Sequence, residues 1–293
     1  MRRKWKIGLV LACVAIAIGT YWLWPSLQPT YEGKRLGQWL DEGMELAPDP
    51  YVTNPSVARV VKAIQAIGTN AIPFLLRDFE RKQPPSWLEM AKWRVAYKLK
   101  LIEKSHLWTW RVNRAVWGFK ALGTNAAPAL GKLLAIYDGG GILVGSAGES
   151  LSALGPFAVP ELEKRLHATD LRTKWLAASC LGLIGPAAEA AIPSLVAMLD
   201  DTNSRVHLFA VQALAFINRQ PERLVPLFGR LLGDSNYEVR IYAAEGLKRF
   251  GLSAKEAVPD LLRAANDSNP NVSDLVRQTL EQIESESSKA ASR

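Results

Sequence analysis

His106, His167 and His207 are the side chains best suited to proton transfer or metal ligation, since imidazole changes charge near neutral pH. Their spacing does not support that use. None has a second histidine one helical turn away with a carboxylate between, so no metal site is expected. Gly139-Gly140-Gly141 with Gly145 and Ser146 has the outline of a phosphate loop, but no lysine follows the last glycine, and a turn is expected instead. Ser146 lacks the Gly-x-Ser-x-Gly frame and a preceding strand. Glu149 and Glu245 are single carboxylates on expected helices. The sequence therefore predicts a chain that is not an enzyme and needs no cofactor.

Charge and aromatic residues mark the regions that could recognise a partner. The formal net charge is +8, and the segment 81–120 holds ten cations against Glu89 and Glu103. The segment 1–6 adds four more cations, so the remainder is net negative. Segment 81–120 also contains Trp87, Trp93, Trp108, Trp110 and Trp117, half of the chain's tryptophans. One reading is packing, with indoles filling a gap and lysines facing water. The other is a basic aromatic surface for an anionic lipid, glycan or acidic protein, formed by Lys92, Arg94, Lys98, Lys100, Trp108 and Trp110. A second candidate surface is the evenly spaced row Lys174, His207 and Arg240; its alternative is pairing with Asp201, Asp234 and Asp267.

The elements that must position these groups are set by a repeat. Pro128, Pro160, Pro193, Pro226 and Pro259 recur at a nearly constant step, and Pro73 precedes them by a longer interval that implies an insertion at about 81–110. A large apolar residue (Ile64, Phe119, Leu151, Leu181, Leu214, Leu247) stands four positions before Gly68, Gly123, Gly155, Gly185, Asn218 and Gly251, residue types suited to a left-handed helix end. The prolines suit a first helical turn. Asp201-Thr-Asn203, Asp234-Ser-Asn236 and Asp267-Ser-Asn269 read as a turn plus N-cap, with Asp170 as an earlier counterpart. Small residues such as Ala177, Ala178, Ala210, Ala213, Ala243 and Ala244 allow close approach of the second helix of each unit. Neither helix buries its apolar face alone, so stacking must supply stability. Cys180 falls on this small-residue face and is expected to be buried.

The pattern Gly-Pro-x-Ala-x-x-Ala-Ile-Pro-x-Leu at Gly185–Leu195, followed by Asp-x-Asn-x-x-Val and an alanine-rich helix, resembles HEAT repeats, particularly the short bacterial kind also found in phycobilisome lyases. The resemblance spans roughly 54–284. It implies an all-α fold, an α-α superhelix or right-handed solenoid. Tyr31-Glu-Gly-Lys-Arg-Leu-Gly-Gln-Trp39-Leu40 looks like the leading segment of membrane-anchored bacterial HEAT-repeat proteins.

Arg2, Arg3, Lys4 and Lys6 precede an uncharged stretch, Ile7–Trp24, about 27 Å long as a helix and close to a bilayer core. An uncleaved transmembrane helix is expected; a cleaved signal peptide and a lipoprotein are the alternatives, and each exports the repeats. The expected organisation is a cytoplasmic tail at 1–6, a membrane segment at 7–24, a linker and leading helix at 25–53, repeats at 54–284 and a disordered tail at 285–293. The expected setting is a single pass through the inner membrane with the repeats on the periplasmic side. A scaffold that binds a protein partner is the reading taken. A bilin-lyase-like or ligand-binding enzyme is the alternative, and the net negative charge of the repeats outside 81–120 argues against nucleic acid.

Overall fold

The computed structural model describes residues 28–79 and 108–291. The segment 7–24, expected to cross a membrane, lies outside the described residues, as do Lys92, Arg94, Lys98 and Lys100. The chain forms two compact units, Met1–Ala129 and Leu130–Arg293.

The first unit opens on a hairpin that periodicity did not announce. Strands β1 (Thr30–Tyr31) and β2 (Lys34–Arg35) pair antiparallel around Glu32-Gly33, both at positive φ, as a tight hairpin turn requires. Helix α1 (Leu36–Leu46) follows and buries Leu36, Trp39, Leu40 and Gly43, a spacing that puts all four on one stripe. The Trp39 indole N–H donates to the Tyr31 carbonyl at 3.1 Å, which ties helix to hairpin. Helix α2 (Pro55–Ile67) is capped by Asn54 and starts on Pro55, and α3 (Ile72–Phe79) and α4 (Trp108–Leu122) complete the core. Trp117 sits at the centre, 2% exposed, with its indole N–H on the Ala47 carbonyl at 3.2 Å.

The second unit is a run of helical hairpins: α5 (Leu130–Asp138) with α6 (Val144–Ala153), α7 (Val159–Leu166) with α8 (Leu171–Ile184), α9 (Ile192–Ala197) with α10 (Ser204–Ile217), α11 (Pro221–Leu231) with α12 (Tyr237–Phe250), and α13 (Val258–Ala264) with α14 (Pro270–Ala291). The second helices pack in series, α6 on α8, α8 on α10, α10 on α12 and α12 on α14. Ala177, Ala178, Ala210, Ala213, Ala243 and Ala244 are fully buried at these contacts. At Gly182 an added Cβ would lie 3.0 Å from Ala213 Cα, so the backbones themselves approach closely. Gly140 and Gly141, both at positive φ, form the turn between α5 and α6. The apolar stretch Leu171–Asp200 is long enough to cross a membrane by length and composition alone, but Gly185 divides it into α8 and α9, which pack against α10.

The structure sharpens the expected turn chemistry. All six turn residues have positive φ, and Asn218 combines it with a left-handed ψ, at φ 48° and ψ 51°. Gly68, Gly185 and Gly251 have ψ of −141°, −139° and −127°, a region open essentially to glycine. From there the chain runs into a 3₁₀ segment, as in Gly185–Ala191 and Gly251–Ala257. Asn218 cannot reach that backbone region, so its connection is rerouted: Gln220 also takes φ 55°, and α11 begins early at Pro221. Pro73, Pro160, Pro193 and Pro259 stand second in their helices as expected. Pro226 instead falls inside α11, and Pro128 inside the 3₁₀ segment Gly123–Ala129.

The tail also differs from expectation. Helix α14 runs to Ala291 instead of ending near Ile283. Glu286 gives the reason: its carboxylate accepts from the Leu252 N–H at 2.7 Å and from the Gln282 amide at 2.9 Å, docking the polar extension onto the preceding turn.

Candidate functional site

Repetition in the sequence places three identical turns in the second unit. Asp201, Asp234 and Asp267 each accept, through Oδ1, the backbone N–H two positions on, at 2.9, 2.7 and 2.8 Å. Asn203, Asn236 and Asn269 then cap the helix that follows. The second carboxylate oxygen faces the preceding repeat. Lys174 Nζ lies 3.0 Å from Asp201 Oδ2, and Arg240 grips Asp267 with two donors at 2.7 and 2.9 Å. Each of these two aspartates thus fixes its own turn and bonds the neighbouring hairpin.

The middle rung is different. A carbonyl only accepts, so the 2.9 Å contact between His207 Nδ1 and the Leu199 carbonyl puts the proton on Nδ1. His207 Nε2 stands 3.4 Å from Asp234 Oδ2 but makes no hydrogen bond. Lys174, His207 and Arg240 are therefore placed within the fold as rungs between repeats.

The backbone N–H of Asn203 and, secondarily, Lys174 hold the Asp201 carboxyl below its ordinary value of 3.8; Arg240 does the same for Asp267. A depressed folded value means stability that is present above 3.8 and lost as the pH falls through the folded value. Replacing Asp201 and Asp267 with asparagine keeps the turn acceptor and removes the charge. The Asp201→Asn/Asp267→Asn variant is expected to lose about 0.3–1 kcal/mol per rung at neutral pH, and its urea midpoint should change less than wild type between pH 5 and pH 3. An unchanged pH profile would show that the rungs carry no net stability.

The part of the basic, tryptophan-rich segment that is described turns inward. Trp110 donates to Asp41 Oδ1 at 3.0 Å, Arg114 bonds Asp78 at 3.0 Å, and Lys120 bonds Asp49 at 3.2 Å. Burial raises the Asp78 carboxyl despite the Arg114 guanidinium, which marks a desolvated structural pair. Trp108 begins α4, and its side chain lies outside the described residues. Cys180 is buried, and desolvation pushes its thiol up to about 12, so it packs as an apolar group. His167 is exposed at the end of α7, far in sequence from His207, and among the described residues no group of three or more metal-ligating side chains converges.

Sequence reasoning missed the row beside the rungs. One and two positions after them lie Trp175, Leu208 and Ile241, and Leu176, Phe209 and Tyr242, all half-buried. Trp175 stacks on Phe209 with ring centroids 4.9 Å apart, Phe216 meets Tyr242 edge-on at 6.2 Å, and Gln212 donates to the Tyr242 hydroxyl at 2.7 Å. Arg205 lies over Trp175 and Arg249 over Phe216, 5.4 and 4.7 Å from the ring centroids. The residues follow helical spacing along each second helix, so they form one face across α8, α10 and α12. The signal was available in the same register as the rungs.

The family model for HEAT repeats matches residues 224–291. No curated protein matches the sequence. Similar solved structures include an engineered protein (20% identity, TM-score 0.45, covering 85% of this chain and 68% of that one). A designed armadillo repeat protein in complex with the peptide (KR)4 is similar at 16% identity and TM-score 0.44, covering 72% of this chain and 99% of that one. The complex of CpcE and CpcF of phycocyanin lyase from Nostoc sp. PCC7120 is similar at 20% identity and TM-score 0.40, covering 88% of this chain and 98% of that one. The HEAT-repeat match at 224–291 falls on the last helical hairpins, whose turns, caps and rungs already recur in the described residues before them.

Proposed function

We propose that this chain is a non-catalytic scaffold whose second unit binds a protein partner, and that segment 7–24 anchors it in a membrane with the repeats on the extracytoplasmic side. The observation that carries the binding reading is the half-buried aromatic face of α8, α10 and α12. Large apolar side chains that stay partly wet beside arginines are the composition of a protein-recognition surface. The rungs support the same reading, because they hold successive hairpins in register and keep that face in one geometry. The anchor rests on the cations of segment 1–6 and the uncharged length of Ile7–Trp24.

Copurification from detergent-solubilised cells tests the binding, with the tagged full-length chain as bait. One or more proteins should coelute at a constant ratio to the bait through a second purification step, and loss of every such protein would remove the scaffold reading. Extraction at alkaline pH and protease treatment of sealed vesicles test the anchor. The chain should stay with the membrane, and its repeats should be digested only from the extracytoplasmic side.

A further inference from the structure

The cations on the aromatic face define what it can take. Arg172 and Arg205 occupy equivalent positions on α8 and α10, one turn ahead of Trp175 and Leu208, and both are exposed. Neither forms an ion pair among the described residues. Arg172 donates to the Gly141 carbonyl at 3.3 Å, and the Arg205 guanidinium lies over the Trp175 ring. Asp170 is the carboxylate nearest Arg172 in sequence; it bonds chiefly the Thr173 hydroxyl and N–H at 2.7 and 2.9 Å, and the Arg172 charge acts on it only as a minor influence, with no ion pair between the two. The neighbouring cations behave otherwise: Lys174 and Arg240 have carboxylate partners, and Arg249 has Glu245. At the next equivalent position, on α12, stands Glu238, so the sign reverses along the row.

Two exposed guanidinium groups that close no ion pair among the described residues, beside a stacked Trp–Phe pair, complement carboxylates flanking a large apolar side chain. A basic or purely polar segment would leave the arginines without a counter-charge and the rings uncovered. We propose that the α8–α10 part of this face binds a protein segment in which acidic residues flank an aromatic or large aliphatic anchor. The acidic residues lie over Arg172 and Arg205, and the anchor covers Trp175 and Phe209. This assignment rests on the protein-binding reading above and names its partner chemistry.

Selection of a displayed random-peptide library on the full-length chain in detergent micelles tests it. The enriched peptides are expected to combine Asp or Glu with Phe, Trp or Leu. Against synthetic versions of them, Arg172→Glu/Arg205→Glu should weaken binding about tenfold or more, and should select basic residues when the library is panned again. Both arginines are exposed, so the variant should fold, which circular dichroism checks. Enrichment of basic or charge-indifferent peptides, equal binding when the anchor is replaced by alanine, or no enrichment would overturn the assignment. The two proposals separate cleanly: a cellular protein that copurifies equally with wild type and the double variant sinks this one and leaves the scaffold standing. Copurification of no protein removes the scaffold itself.

Discussion

Trp117→Ala is expected to destabilise the first unit by about 3–5 kcal/mol, among the largest effects of any single substitution in the chain. The indole is 2% exposed and its N–H satisfies the Ala47 carbonyl just after α1, so truncation leaves both a cavity and an unpaired buried carbonyl. The cavity would not collapse easily, because α1 already touches the ring through Gly43: a Cβ there would lie 2.4 Å from Trp117 Cη2. Gly43→Ala should therefore also destabilise, by about 1–3 kcal/mol, through overpacking. In the Trp117→Ala background the same change should be close to neutral, because the ring it strikes is gone. Urea denaturation of the four proteins measures the coupling, and additive effects would refute the packing described.

Gly185→Ala is expected to cost about 1–3 kcal/mol for a reason that involves no contact. Its φ of 68° and ψ of −139° are unavailable to a residue with a Cβ, while the nearest atom to an added Cβ is the Phe216 carbonyl oxygen at 3.7 Å, an ordinary separation. Asn218→Gly is the counterpart. Asparagine already tolerates its left-handed φ and ψ, and the change removes only a long 3.3 Å bond from its amide to the Arg249 carbonyl, so the loss should stay below about 1 kcal/mol. Equal losses at the two positions would show that the turns do not differ as described.

These two turns show where sequence stopped being informative. A positive φ at every turn was legible, because glycine and asparagine are the residues that supply it. The sign of ψ was not, and it decides whether a 3₁₀ segment follows or the next helix starts early at Pro221. Asp201 and Asp267 were legible as partners of Lys174 and Arg240, since a fixed period carries one guess to the next repeat; that His207 would bond the Leu199 carbonyl instead of Asp234 was not. The reach of α14 depended on one long-range bond from the Leu252 N–H to Glu286, which no local pattern encodes. The same limit applied to the functional face. Trp175 and Phe209 stand in the register of the repeat, but only stacking across two helices shows them as one surface.

The proposed function requires that the face of the second helices meets a protein. A photo-activated crosslinking residue placed at Leu208 of the full-length chain tests it in the cells that make the protein. The control is the same residue at Leu262, which is 59% exposed on the first helix of its hairpin. A discrete protein adduct is expected from position 208, absent from 262 and diminished by Arg172→Glu/Arg205→Glu. The same adducts from both positions, or none from 208, would contradict it.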